Sequence, residues 1–296
     1  MQEFSPKKVS KNSLDKEIDG LVRSFERNFK KNNLQKVNLD TISKATNFSK
    51  FHFHRSFKKN TDETIQFFQR RLKLENAAFA VRNSNLKLHD IAFENGFDSY
   101  EGFCRSFKKY FNCSPREYKK NFLQQTSSSL VSPREIISIS TKLLPKIEYA
   151  FERKLGDYQE YPGPFAKNET WLAFLEKFGW EKQETLMGIC HDDPTITPIS
   201  KLRYDLCIIR KENVSQKNSN VLQTGAISKG RYLLIEFFGE FSKINEAYRY
   251  ILDGYIQKNS KWKDRISEKP PFEIFKTPLQ NQEVKTRVDI YFPIKN

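Results

Sequence analysis

The pentapeptide RSFKK occurs twice, at Arg55–Lys59 and at Arg105–Lys109, and its surroundings repeat with it. SKFHFHRSFKKN over Ser49–Asn60 answers SYEGFCRSFKKY over Ser99–Tyr110. A duplicated basic, aromatic helix constrains the first half of the chain more than any bulk property does. In the first copy, LDTISKAT (Leu39–Thr46) reads as a short helix, NF as a tight turn and Ser49 as N-cap of the next helix. In the second, LHDIAFEN (Leu88–Asn95), GFD and Ser99 follow the same plan with a turn one residue longer, where Gly96 supplies the positive φ a sharp turn needs. Helix, tight turn, helix is the pattern whose second helix enters the major groove of DNA.

At about 100° per residue, Phe53 and Phe57 share one side of the first repeated helix, with Phe51, His54, Arg55 and Lys58 roughly opposite. In the second, Phe103 and Phe107 are the expected buried pair, and Glu101, Cys104, Arg105 and Lys108 face outward. An arginine at the centre of such a face suits bidentate bonding to guanine O6 and N7. His54 suits a base edge, Glu101 cytosine N4 and Cys104 a thymine methyl. Lys58, Lys59, Lys108 and Lys109 suit phosphates. Ser49, Lys50 and Phe51 in the first helix, and Ser99 and Tyr100 in the second, complete the expected DNA-contacting set. The bland alternative, amphipathic core helices with solvated basic faces, accounts less well for two copies with the same lead-in. The helix between the copies, about Glu63 to Ser84, separates them by roughly 30 Å at 1.5 Å per residue. Successive major-groove faces are about 34 Å apart, so one chain is expected to read what usually takes a dimer.

Charge agrees with a polyanionic partner in the first half. Of a net charge of +15 over 296 residues, residues 1–133 carry 25 Lys/Arg against 14 Asp/Glu, and residues 134–296 carry 26 against 22. The cysteines Cys104, Cys113, Cys190 and Cys207 lie far apart with no C-x-x-C pair, against a zinc site or disulfide framework. No long apolar run or signal-peptide core is seen, so a cytoplasmic protein without membrane contact is expected. Helical spacing runs from Lys16 to Gln125, with one stripe of Ile18, Leu21, Val22, Phe25 and Phe29 and another of Ile65, Phe68, Leu72 and Ala80. The serine run and closing proline of QQTSSSLVSP, Gln124–Pro133, mark a linker. Beyond it, YDLCII (Tyr204–Ile209), YLLIEFF (Tyr232–Phe238) and VDIYFPI (Val288–Ile294) are strand-like, with helical stretches at Glu169–Phe178 and Lys243–Gln257. The expected organisation is multidomain: a tail over 1–17, an all-α double helix-turn-helix domain over 18–124, a linker over 125–133 and an α+β domain over 134–296. The second half carries its own weak repeat, Gly156–Leu175 against Gly230–Leu252. Each copy reads as a strand, a glycine with an aromatic (Phe165, Phe241), then a helix bearing Trp171 or Tyr248. Two such halves are expected to face each other across a pseudo-twofold axis with a cleft between them.

Residues 18 to 122 resemble the AraC/XylS-type DNA-binding domain through LDTISKATNFSKFHFHRSFKK, RRLKLENAAFAV and IAFENGFDSYEGFCRSFKKYFNCSPREYKK. Tyr100 and Glu101 stand where some members carry glutamine, and Gly102 lies inside the second recognition helix at a propensity cost. Residues 145–296 resemble the GyrI-like small-molecule-binding domain through GICHDDPTITPISKLRYDLCI (Gly188–Ile208), QTGAISKGRYLLIEFFGEF and PPFEIF (Pro270–Phe275). The domain order is similar to that of Rob-type regulators. The resemblance implies promoter DNA and a small-molecule effector as partners, with RNA polymerase a further candidate. It also implies that Glu273 lies at a pocket floor facing a cationic, aromatic ligand, although Phe275 replaces the family's usual tyrosine.

A carboxylate beside aromatic rings suits a lipophilic cation as its counter-charge; the competing reading of Glu273 is a surface carboxylate on an edge strand. Trp171 and Tyr248 are candidates to line the cleft or to pack helix on sheet, and Tyr158, Tyr204 and Tyr291 are further lining candidates. His191, Asp192 and Asp193 form a turn more readily than a metal site, because adjacent side chains in an extended segment point apart. No metal or cofactor is expected, and neither a triad motif nor a Gly-rich phosphate loop appears. The expected function is therefore a ligand-controlled DNA-binding regulator, not an enzyme. The alternatives are a small-molecule hydrolase, which the GyrI-like resemblance implies would use Glu273 with Tyr158 or Tyr291, or a drug-sequestering protein.

Overall fold

The computed structural model describes residues 49–126, 132–164, 168–179, 184–209, 223–263, 265–267, 269–276 and 285–295. The stripe from Ile18 to Phe29, the helix expected at Leu39–Thr46 with its NF turn, Phe165 and the linker's serine run lie outside them. The chain divides into two compact units, one of Met1–Val81 with Leu86–Tyr118 and one of Arg82–Asn85 with Lys119–Asn296.

The helices α1 (Lys50–Thr61), α2 (Ile65–Asn83), α3 (Leu88–Glu94), α4 (Tyr100–Phe111) and α5 (Pro115–Thr126) follow in order, and the helical unit takes in all of them except Arg82–Asn83 of α2 and Lys119–Thr126 of α5. The two repeated helices are built alike. Each has 12 residues, opens on a serine N-cap (Ser49, Ser99) and closes on a left-handed residue, Asp62 at φ 56° or Asn112 at φ 58°. Short polar Asp and Asn tolerate that conformation better than other non-glycine residues. Gly96, at φ 72°, makes the turn between α3 and α4. Ser114 and Glu117 close a reciprocal capping box at the head of α5, with Pro115 in the first helical position, where its missing N–H costs nothing. Phe53, Phe57, Phe103 and Phe107 are at most 1% exposed. Phe57 meets Phe53 at 6.1 Å and Phe68 edge-on at 5.6 Å, while Phe103 meets Phe97 at 5.1 Å and Phe107 at 5.4 Å, and Phe107 meets Tyr118 edge-on at 5.3 Å. At about 1.5–3 kcal/mol per buried large side chain, these rings determine which face of each helix turns inward.

The second unit holds β1 (Ile136–Leu144), β2 (Ile147–Leu155), α6 (Glu169–Phe178), β3 (Thr185–Cys190), β4 (Arg203–Ile209), β5 (Gln223–Ile227), β6 (Gly230–Gly239), α7 (Ile244–Arg249), β7 (Phe272–Lys276) and β8 (Thr286–Pro293). After α7 the helix runs on through a π-helical stretch, Tyr250–Tyr255, into Ile256–Lys258. Among the described residues the strands form one antiparallel sheet in the order β1-β6-β8-β7-β3-β4-β2-β5. Exchanging β1–β4 with β5–β8 reverses that order onto itself, so the sheet has the expected pseudo-twofold arrangement, with the axis between β3 and β7. The first strand of each half pairs with the second strand of the other, which interlocks the halves.

The repeat differs from its sequence reading in one respect. Gly156–Pro164 is not a strand: Gly156 turns at φ 127° and Tyr158–Glu160 form a 3-10 turn. Glycine and proline remove side-chain packing and ladder donors there, and β2, just upstream, plays the part that β6 plays in the second half. The helix α6 is capped by Asn168, which accepts from Thr170 N and Trp171 N, and ends on Gly179 at φ 61°. Strand alternation sends Glu273 and Phe275 to one face of the sheet and Phe272 to the other. Trp171 of α6 meets Phe275 at 5.6 Å, and Tyr248 of α7 meets Phe292 at 5.5 Å, so the helices cover the Glu273 face. On the opposite face Phe272, Tyr291 and Tyr232 form an aromatic core with Met187, Ile189 and Phe151.

Candidate nucleic-acid interface and ligand site

On α1, Ser49 Oγ accepts from His52 N at 3.2 Å, which anchors the first turn. Lys50, Phe51, Arg55 and Lys58 are exposed and His54 is half-buried. Phe51 is 73% exposed, with the Arg55 guanidinium 4.8 Å over its ring. On α4, Ser99 Oγ accepts from Gly102 N at 3.1 Å. Glu101, Arg105 and Lys108 are exposed, whereas Tyr100 and Cys104 are half-buried. A hydrogen bond with the Cys104 thiol, and then burial, hold the Tyr100 phenol above its ordinary range. Two basic residues close each helix, Lys58 with Lys59 and Lys108 with Lys109. His52, the counterpart of Gly102 in the first helix, carries a side chain and still donates to its cap, so glycine is tolerated at that position and not required.

Glu273 sits on β7 between β8 and β3, in the middle of the sheet and not on an edge strand, and is 2% exposed. Tyr248 Oη donates to its Oε1 at 3.1 Å, Tyr204 Oη to its Oε2 at 3.1 Å, and the Cys190 thiol lies 3.8 Å from Oε1. Burial pushes the carboxyl up to about 7, although the bonds from Tyr248, Tyr204 and Cys190 favour its charged form. Burial, and then the neighbouring acids and thiols, hold Tyr204, Tyr248 and Cys190 well above their ordinary ranges, so all three stay neutral donors. Gly188 faces Glu273 directly across the β3–β7 pair. A Cβ there would stand 1.9 Å from Tyr204 Oη and 3.2 Å from Glu273 Oε2, so only glycine lets the phenol cross the strand to the carboxylate.

The lining candidates fall into three groups. Tyr204 and Tyr248 hold the carboxylate directly. Trp171, fully buried on α6, and Tyr158, behind Tyr204 at 5.7 Å, pack on the same face without touching it. The Tyr158 hydroxyl is committed to the backbone, bonding Asp192 O and Arg203 O at 3.1 Å each. Tyr291 lies on the other face, paired with Phe272 and donating to Asp289 at 3.1 Å, because one step along β8 reverses the side chain. This corrects its candidacy, and Tyr158 and Tyr291 are likewise unplaced as hydroxyl partners of Glu273. Sequence reasoning passed over Gly188, Cys190 and Tyr161, whose ring stacks on Tyr204 at 5.7 Å. A glycine inside an otherwise apolar strand was the available signal for a close approach.

His191, Asp192 and Asp193 order the β3–β4 connection. Asp192 accepts from Arg203 N at 2.8 Å and from its guanidinium, and Asp193 accepts from Thr195 N at 2.8 Å. His191 Nε2 and Arg153 converge on Asp205 at 2.7 Å each. Burial alone would raise the Asp205 carboxyl, but the charges of Arg153 and His191 outweigh it and hold the group well below its ordinary range. Among the described residues no cluster of His, Cys, Asp or Glu is arranged to hold a metal ion, and no helix is long and apolar enough to cross a membrane.

Two family models match the chain, a helix-turn-helix domain over residues 42–121 and the GyrI-like small molecule binding domain over residues 138–295. The probable transcription factor PqrA of Proteus vulgaris is 30% identical over 104 residues, 35% of this chain and 84% of that protein. The uncharacterized HTH-type transcriptional regulator YbfP of Bacillus subtilis is 34% identical over 94 residues, which span about a third of each, 32% of both chains. The cryo-EM structure of an EcmrR–DNA complex overlaps 83% of this chain and 82% of that one at 12% identity, with a TM-score of 0.42.

Proposed function

Because the chain belongs to the AraC-type helix-turn-helix regulators that carry a GyrI-like small molecule binding domain, we propose that it is a sequence-specific DNA-binding transcription regulator controlled by a small cationic or amphipathic ligand. Its α1 and α4 enter successive major grooves. Arg55 and Arg105 read guanine, and His54, Glu101 and Cys104 take neighbouring base edges. Phe51 and Tyr100 contribute apolar and ring contacts, while Ser49, Lys50, Lys58, Ser99 and Lys108 hold the phosphate backbone.

The observation that carries the ligand reading is the counter-charge missing at Glu273. Among the described residues its bonded partners are two phenols and a thiol, with no cation among them. A buried carboxylate held only by neutral donors is costly when ionised. A ligand that brings positive charge and flat apolar surface relieves that cost against Tyr204, Tyr248 and the neighbouring Phe275 and Trp171.

The test is calorimetric titration of the full chain with an aromatic cation and its neutral isostere, in wild type and Glu273→Gln. The substitution is expected to weaken the cation by about 1–3 kcal/mol and to leave the isostere nearly unchanged. Equal losses for both would assign Glu273 to packing, and no loss for either would put it outside the site. Repeating a selection of bound DNA from a random pool with and without the cation then reads whether the ligand reaches the regulator's output.

A further inference from the structure

Within the helical unit, a buried polar chain runs between the ends of the two recognition helices. Glu63 follows α1 directly after its left-handed cap, Asp62. Arg71, on α2, donates from Nε to both Glu63 oxygens at 2.9 and 3.1 Å and from Nη1 to Glu75 Oε2 at 3.1 Å. Tyr110, one residue from the end of α4, donates to the other Glu75 oxygen at 2.9 Å. Glu63, Arg71 and Glu75 are only 4–6% exposed. The Arg71 guanidinium also lies 5.2 Å over Phe68, whose ring meets Phe57 of α1 edge-on at 5.6 Å.

We infer that Glu63, Arg71, Glu75 and Tyr110 act as positioning residues that set the distance and angle between α1 and α4, so that the protein selects the spacing between its two half-sites. The inference rests on the proposal that both helices enter the major groove. Apolar rings hold helices together with little angular preference, whereas short bonds to charged groups are directional and lose strength quickly when misaligned. A buried ion network adds little net stability over a well-packed apolar core, and its best-attested use is to choose one arrangement among several. Here two carboxylates share one guanidinium, and the second is completed by a phenol. Burial, and then the charge of Glu75, hold that phenol above its ordinary range, so it remains a donor. On DNA, one inserted base pair moves the second half-site by about 3.4 Å and turns it by roughly 35° about the duplex axis. An unyielding connection cannot follow both changes, and a loosened one can.

The test uses the full-length protein and the bipartite site selected from a random pool, together with versions carrying one base pair inserted or removed between the halves. Tyr110→Phe removes the outermost bond from a half-buried position, and Arg71→Met removes the hub. Wild type is expected to lose affinity at least about tenfold on the altered spacings, within the cost typical of one disrupted site position. Each variant is expected to cut that penalty at least threefold while binding an isolated half-site as wild type does. A merely structural role would lower the melting temperature and leave the spacing penalty unchanged. An undiminished penalty in folded Tyr110→Phe overturns the inference even if Arg71→Met fails to fold. A wild type indifferent to spacing also overturns it. If Arg55→Ala and Arg105→Ala are then silent as well, the two-groove proposal has failed; if each still weakens binding, only the positioning role has.

Discussion

Glu273 shows what a single residue does in this domain. Its carboxyl is raised from 4.5 to about 7, chiefly by burial. With a raised value, the stability it contributes is fully present below about 4.5 and is lost as pH rises through about 7. Between those limits the unliganded protein should lose on the order of 3 kcal/mol relative to Glu273→Gln. Asp205 and Asp192, both lowered, act in the opposite sense but are common to the two proteins, so they drop out of the difference. Denaturant unfolding of both proteins from pH 4.5 to 8 measures it, and parallel curves would refute the burial argument. Ligand affinity should run the other way. A permanent cation competes with the proton, so its affinity is expected to climb with pH to about 7 and then level off, and to be flat in Glu273→Gln. Gly188 makes the arrangement possible. Gly188→Ala would push Tyr204 off the carboxylate, with an expected loss of about 1–3 kcal/mol of stability and of cation binding at the same time.

At the scale of the element, the recognition helices depend on their first turns. Ser99 holds the start of α4, where Tyr100 and Glu101 sit, and Ser49 does the same for Lys50 and Phe51. Ser99→Ala is expected to cost about 1 kcal/mol of stability, and Ser99→Gly less, because glycine is itself an acceptable cap. Thermal melts of the two variants give that order directly. Arg55→Ala and Arg105→Ala should each cost about 1–3 kcal/mol of specific binding and relax base preference in different halves of the site. Binding measured on a panel of single-base variants of the selected site reads this out, and relaxation confined to the same half for both would contradict it. These helices were legible in the sequence because an amphipathic period of 3.6 and a serine cap are local signals. The Gly156–Pro164 segment departs from its sequence pattern for the same reason. Its aromatic spacing imitates a strand, while the pairing partner that would make it one belongs to β2.

For the molecule as a whole, the interlocked sheet governs what can be removed. The strand β1 pairs with β6 along most of its length, although β6 belongs to the other half of the repeat. A fragment of residues 134–296 keeps that pairing and is expected to unfold cooperatively by itself. A fragment beginning at residue 146 leaves β6 as a bare edge and should aggregate or melt at a much lower temperature. Size-exclusion chromatography and thermal denaturation of the two fragments compare them, and equal behaviour would mean that β1 is dispensable.

By itself the sequence determined the duplicated helices, the buried Phe53/Phe57 and Phe103/Phe107 pairs, the exposed Arg55 and Arg105, and the strands around Tyr204, Tyr232 and Val288, because periodicity, caps and turns act over a few residues. It also pointed to Glu273, through the family motif that contains it. Only the tertiary structure decided who stands next to whom. It joined Glu273 to Tyr204, Tyr248 and Cys190 from three other elements, and turned Tyr291 away to the opposite face. It also made Gly188 the gap through which a phenol passes, and connected Glu63 to Tyr110 through Arg71 and Glu75. Each of these depends on strand register or helix packing between segments far apart in the chain, and a shift of one residue in strand register would reverse the face of Glu273, Tyr204, Cys190 or Tyr291.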